Sequence, residues 1–156
     1  MTTKTGQAPV QARPARGFRY RVDLVYGYLA ALFVVGILVQ VFLAGVGIFG
    51  INATKVASAT SLNPHRAWGS VLMVFSLVLL ILALIAWRSL ATVIGTFVLA
   101  LLVVVAQAVL AGAGESNKWI GGLHAFDGMI ILLLSVWLAV AARRRGRAAH
   151  ARPTEE

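Results

Sequence analysis

Cysteine is absent from the 156 residues, which excludes a disulfide framework, a thiolate-bound metal and thioether attachment of a cofactor. Charge is scarce as well. Charged residues make up 12% of the chain, against about a quarter in an average globular protein. Acids are fewest, five against 14 basic residues. No nucleophile paired with a base and no phosphate-cradling loop stand out, so hydrolysis and phosphoryl transfer find no support. Gly45-Val-Gly47-Ile-Phe-Gly50 spells GxGxxG, but it closes an apolar run instead of following a strand. That context removes a dinucleotide reading.

The bulk of the chain is apolar, 60% by composition, and gathers into four nearly charge-free stretches, 22–51, 67–87, 90–111 and 120–142. A helix crossing the hydrocarbon core needs about 20 such residues. The last three stretches match that length. The first exceeds it and predicts either a tilted helix or an interfacial turn around Tyr20, Tyr26 and Tyr28. The expected fold class is all-α, an integral membrane four-helix bundle occupying 22–142.

The net charge of +9 follows from the loops. Lys4, Arg13, Arg16, Arg19 and Arg21 precede the first stretch, Arg88 lies in the second turn, and Arg143, Arg144, Arg145, Arg147 and Arg152 follow the last. Only Lys55, Arg66 and Lys118 lie on the other side. The positive-inside rule then makes both termini cytoplasmic. The expectation is a multi-pass protein of a bacterial plasma membrane whose basic residues meet membrane lipid, with no nucleic-acid partner. Residues 1–21 read as a disordered basic cytoplasmic arm, too polar for a cleavable signal peptide. It is Arg-rich and acid-poor like a mitochondrial presequence, but Pro9 and Pro14 weaken any helix in it. Residues 143–156 read as a basic cytoplasmic tail in which His150 has no counterpart. Asp23 is expected to pair at the surface with Arg19 or Arg21. Asn52-Ala-Thr54 spells a glycosylation sequon, expected on the outer loop.

The chain also repeats itself. Gln40, Leu43, Ala44, Gly45 and Gly47 recur as Gln107, Leu110, Ala111, Gly112 and Gly114 at an offset of 67. His65, Gly69, Ser76 and Ala83 recur as His124, Gly128, Ser135 and Ala142 at an offset of 59. Small residues recur by chance in membrane helices; paired Gln, His and Ser in register do not. Two hairpins of one orientation follow, related by a pseudo-two-fold axis along the membrane normal.

Helical spacing puts His65, Gly69, Leu72, Ser76 and Ala83 on one stripe, and His124, Gly128, Ile131, Ser135 and Ala142 on its mate. With both stripes inward, the imidazoles face each other near the outer ends of their helices. Two opposed neutral imidazoles are the axial set of a six-coordinate b-type haem. Gly69 and Gly128 would leave room for the macrocycle. Arg66, with Lys118 or Lys55, could meet a propionate. Gln40 and Gln107 could hydrogen-bond the cofactor edge or a ligated histidine, or simply bond between helices. Asp127, an acid inside a span, could accept from an imidazole N–H or pair with Arg66; its repeat position is Trp68.

Plainer readings stand beside these. A histidine at a helix end commonly contacts headgroups or water. Gly45, Gly47, Gly112 and Gly114 are expected at close helix contacts, and Ser76 and Ser135 are expected to bond their own or a facing helix.

The pattern of QxxLAGxG closing odd helices and His opening even ones resembles one half of haem A synthase, a family of two four-helix bundles with histidine pairs on the outer side. The resemblance spans Val22 to Ala142. That family carries a Glu three residues before its His-Arg pair; here His65-Arg66 stands but the Glu position is Leu62. The missing acid and second bundle argue against haem A synthesis itself. The chain also resembles, more closely, small four-helix bacterial membrane proteins sharing QxFLAGxG (Gln40–Gly47) and HRxxG (His65–Gly69), a likeness that brings no activity with it.

Three functions are open at this point. One is a haem b protein working in local electron transfer or haem handling, with a quinone or extracytoplasmic redox partner. Another is a cofactor-free accessory subunit of a larger membrane complex, or a homodimer. The third is a small transporter using Asp127 and the two glutamines.

Overall fold

The computed structural model describes residues 17–54, 58–86 and 89–151. It is an all-α bundle with no strand among the described residues. The first helix is continuous over Phe18–Thr54, followed by a single turn at Ser58–Ser61 and a second helix at Asn63–Ile85. The third runs over Leu90–Gly114 and the fourth over Lys118–Ala151. All four contain a window long and apolar enough to cross a membrane. Their outward faces carry large apolar side chains such as Phe42, Phe49, Trp119 and Leu133. This is the surface expected of a multi-pass membrane protein, whose solvent is lipid.

The boundaries differ from the composition-based ones in one direction: the helices are longer. The first needs no interfacial turn. Its apolar span of 34 residues measures about 50 Å at 1.5 Å per residue, well beyond a hydrocarbon core of about 30 Å. Residues 18–21, expected in a disordered arm, are already helical, while the arm's first 16 residues lie outside the described ones. The fourth helix continues through Arg143, Arg144 and Arg145 instead of stopping at Ala142. The side chains of Asn52, Lys55, Arg88, Arg147, His150 and Arg152 lie outside the described residues; the Asn52–Thr54 backbone is helical, not a loop.

Each helix packs on its chain neighbours, and the first also packs on the fourth. Among the described residues the backbones of the first and third helices do not approach each other, nor do those of the second and fourth, and only side chains span these gaps. These are the two diagonals of the bundle, the arrangement that a two-hairpin repeat requires. The predicted stripes face inward. Leu72, Ser76, Leu79 and Ala83 are buried, and so are their mates Ile131, Ser135, Leu138 and Ala142. Ser76 donates to the Met73 carbonyl (2.8 Å) and Ser135 to the Ile131 carbonyl (2.6 Å), so both are satisfied within their own helices.

On the odd helices the inner halves follow a different register. Buried Tyr26, Ala30, Phe33 and Ile37 correspond to buried Thr92, Thr96, Leu99 and Val103 at an offset of 66, whereas Gln40 and Gln107 are offset by 67. A single π turn at Leu102–Ala106 separates the two regimes. Its i→i+5 bonding takes in one extra residue, which returns Gln107 to the interior.

Tyr26 corrects an expectation. It is fully buried and not interfacial, and its hydroxyl lies 2.7 Å from Thr96 Oγ1 across the diagonal between first and third helices. Thr96 donates to the Thr92 carbonyl (2.8 Å), leaving its oxygen to accept from Tyr26. Interhelical bonds of this kind average about 0.6 kcal/mol in membranes. Nearby, Ser89 caps the third helix by accepting from the Thr92 amide (3.4 Å) and also accepts from Arg145. That end of the bundle is tied shut.

A two-histidine site at the open end of the bundle

At the opposite end the other diagonal is bridged. Asn63-Pro64 opens the second helix with proline in its first turn, where a missing N–H costs nothing, and this places His65 at the mouth of the bundle. Asn117 Oδ1 accepts from the Trp119 amide (3.0 Å) ahead of the fourth helix, and His124 follows within two turns. The two imidazole centres are 6.3 Å apart, with ring planes at 79°. The repeat had put them on facing stripes, and the fold brings them together.

The two rings have different surroundings. His65 Nδ1 lies 3.2 Å from the Gln40 carbonyl, which can only accept, so Nδ1 carries the hydrogen. Nε2 is then the lone-pair nitrogen and faces the Gln40 amide nitrogen at 3.4 Å. His124 has no such support. Its ring lies against the Gln107 backbone carbonyl, the counterpart of the Gln40 carbonyl, but the buried Nδ1 falls short of hydrogen-bond geometry. Gln107, the repeat mate of Gln40, donates instead to Asp127 Oδ2 (2.8 Å) and to the His124 carbonyl (3.0 Å). Asp127 is buried and accepts from Gln107, not from an imidazole or Arg66. Trp68, standing where Asp127 stands in the other half, donates to the Gly36 carbonyl (2.9 Å).

The glycines also divide. A Cβ on Gly47 would meet Leu62 at 2.5 Å, and one on Gly114 would meet the Gly121 backbone at 2.9 Å. Leu62 and Gly121 are themselves repeat mates, so both closures are the same contact made twice. Gly45 and Gly112 were expected at close contacts too, yet nothing lies within 4 Å of either Cβ position, because they sit on the other side of their helices. Below the histidines, a Cβ on Gly69 would meet the Gln40 amide nitrogen at 3.1 Å, whereas Gly128 opens onto free space.

Arg66 bonds Glu115 at 2.8 Å, both side chains being exposed. Sequence reasoning missed this partner, although Glu115 is the single acid between the third and fourth apolar stretches. The pair ties the second helix to the end of the third, whose closing segment Gln107–Gly114 packs on the fourth helix and not on the second. Lys118 lies over the Trp119 ring, 5.8 Å from its centre. No cluster of three or more His, Asp or Glu that could hold a bare ion occurs among the described residues. Two imidazoles alone leave most of a metal's coordination sphere to be supplied by something else. Comparison with protein families, with curated proteins and with solved structures finds no match for this chain.

Proposed function

We propose that the chain is a membrane protein binding one haem b, with His65 and His124 as its axial ligands, and that it works in local electron transfer or haem handling. The observation carrying this reading is the spacing of the rings. A metal–imidazole bond is about 2.0 Å and the ring centre lies about 1.1 Å beyond the nitrogen, so two rings on one metal stand about 6.2 Å apart. The two centres are 6.3 Å apart in an edge-on contact, and His65 Nε2 would have to leave the Gln40 amide to meet an iron. Three further features support it: the unpartnered buried Nδ1 of His124, the lone-pair Nε2 of His65 and the space beside Gly128. A porphyrin brings four equatorial donors, the part of the coordination sphere that the protein does not offer.

Haem bound there would supply one-electron chemistry. The chain's own residues orient and insulate. Gln40 fixes the tautomer of His65, the outward apolar faces keep the site in lipid, and Arg66 and Lys118 offer cations at the mouth for carboxylates. Both histidines lie at the same end of the bundle, away from the Arg-rich helix ends. By the positive-inside rule that end is extracytoplasmic and both termini are cytoplasmic. One site near one face suits exchange with a quinone or an outer redox partner better than conduction across the membrane. We further propose the relationship to half of a haem A synthase-like bundle on the Gln and His motifs, and a bacterial plasma membrane as its location.

A cofactor-free accessory subunit is the second reading, favoured by the fact that Gln40 faces both nitrogens of His65 without a metal. Haem titration of the purified protein separates the two: a saturable, stoichiometric Soret band that disappears in the His65→Ala, His124→Ala double variant supports haem binding, and its absence supports the accessory role.

A further inference from the structure

We infer that the two-histidine end of the bundle is entered from the side: an uncharged molecule dissolved in the bilayer passes between the second helix and the end of the third, and the Arg66–Glu115 pair is the latch across that seam. Access of this kind does not depend on haem being the ligand.

The packing makes the two hairpins diverge. At the inner end they are joined: Tyr26 reaches Thr96, and a Cβ on Gly27 would lie 3.4 Å from the Ala142 side chain. At the outer end each helix closes on its own hairpin partner. The first is held to the second by Trp68 on the Gly36 carbonyl, by His65 on the Gln40 carbonyl and by Leu62 over Gly47. The third is held to the fourth by Gln107 and by Gly114, whose missing side chain lets it rest on the Gly121 backbone. The π turn at Leu102–Ala106 stands just before this segment, and a π turn is a known cause of a helix bend. Beyond it, Gln107–Gly114 packs on the fourth helix and nowhere approaches the backbone of the second.

The apolar core stops at the same level. Outward of Ile37, Leu72, Val103 and Ile131 no apolar side chain is buried among the described residues, and Gln107–Gly114 buries none at all. The gap between the hairpins is spanned inside by the edge-on imidazoles and at its rim by the Arg66–Glu115 bond. Both members of that ion pair are exposed, so it holds the seam only weakly. Because the two charges neutralise each other, the rim selects neither cations nor anions. The flanking helices turn Val71, Val74, Val105 and Val109 outward, a surface that lipid covers, so a molecule reaching the seam comes from the bilayer. Within, the Cβ position of Gly128 meets nothing within 4 Å, which leaves room for a small entrant.

The chain has no cysteine, so single cysteines report access at each depth. The protein in lipid vesicles is treated with pyrene maleimide, which partitions into the bilayer, and separately with a trimethylammonium methanethiosulfonate, which stays in water. Gly128→Cys marks the interior beside His124, and Ala139→Cys marks the buried core. Gly112→Cys, exposed on the third helix, marks the lipid, and the exposed Ser116→Cys marks the outer water. The maleimide should modify Gly128→Cys at least about tenfold faster than Ala139→Cys, because a packed core opens only on near-global unfolding. The charged reagent should modify Gly128→Cys no faster than Ala139→Cys. Added to Gly128→Cys, Glu115→Gln should raise the maleimide rate about two- to fivefold, the range that an exposed ion pair is worth. The swapped pair Arg66→Glu, Glu115→Arg should restore the original rate. Equal maleimide rates at Gly128→Cys and Ala139→Cys overturn lateral entry. Modification of Gly128→Cys by the charged reagent as fast as Ser116→Cys also overturns it, and makes the aqueous mouth the entrance. A Gly128→Cys rate unmoved by Glu115→Gln overturns the latch. No haem enters the experiment, so its failure and the failure of the haem reading are separate results.

Discussion

The Gln40–His65 half of the bundle and the Gln107–His124 half use the same residue types in the same order, yet the side-chain amides of their glutamines bond different partners. In the first half the glutamine serves the histidine; in the second it serves an aspartate. Polar groups are so few in this apolar interior that each has only one or two partners in reach, and one changed residue redirects its neighbours. Similarity of sequence between repeats therefore predicts where the polar groups stand better than what they bond.

The largest effect expected from this comparison is on haem retention. His65→Ala and His124→Ala should each lower retained haem about tenfold or more, measured as haem per protein after gel filtration in detergent. Full retention by either variant would mean that its ring is not a ligand. The glutamines should separate next. Gln40→Leu frees His65 Nε2 from the amide while keeping the backbone carbonyl that holds Nδ1, and should leave haem binding intact or tighten it. Gln107→Leu should leave haem binding within a few-fold, but it strips the buried Asp127 of its donor and should cost about 1–3 kcal/mol of stability, read from thermal unfolding.

Several of these positions were legible in the sequence, and the reasons are physical. Helical spacing alone put Leu72, Ser76 and Ala83 with their mates on inward stripes, and all are buried. The pairing of His65 with His124 followed from the repeat. The π turn was not legible: Leu102–Ala106 is an ordinary apolar run, and the extra residue shows only when burial on the third helix is compared with burial on the first. Tyr26 looked interfacial because its partner Thr96 is 70 residues away. The choice of Gln107 by Asp127 depends on depth and angle between two helices, which spacing along one helix does not encode.

Smaller effects test the repeat itself. Gly114→Ala puts a Cβ against the Gly121 backbone and should destabilise by about 1–3 kcal/mol. Gly112→Ala meets nothing and should be neutral, or stabilise by up to about 1 kcal/mol through helix propensity. Equal outcomes would mean that the two glycines do not differ as their surroundings indicate. Arg66→Ala should change stability least, by less than about 1 kcal/mol, because its bond to Glu115 is exposed and screened. A larger loss on unfolding in detergent would give the pair a structural weight that its exposure argues against.

The central claim is that the two facing imidazoles are made to hold one iron. An absorbance spectrum of the detergent-purified, haem-supplemented protein, oxidised and then reduced with dithionite, tests it most directly. The prediction is one haem per chain, a Soret band that sharpens and shifts on reduction, and resolved visible bands of a six-coordinate, low-spin b-type centre. A spectrum with no bound haem, or with haem bound equally well after both histidines are replaced by alanine, would contradict it.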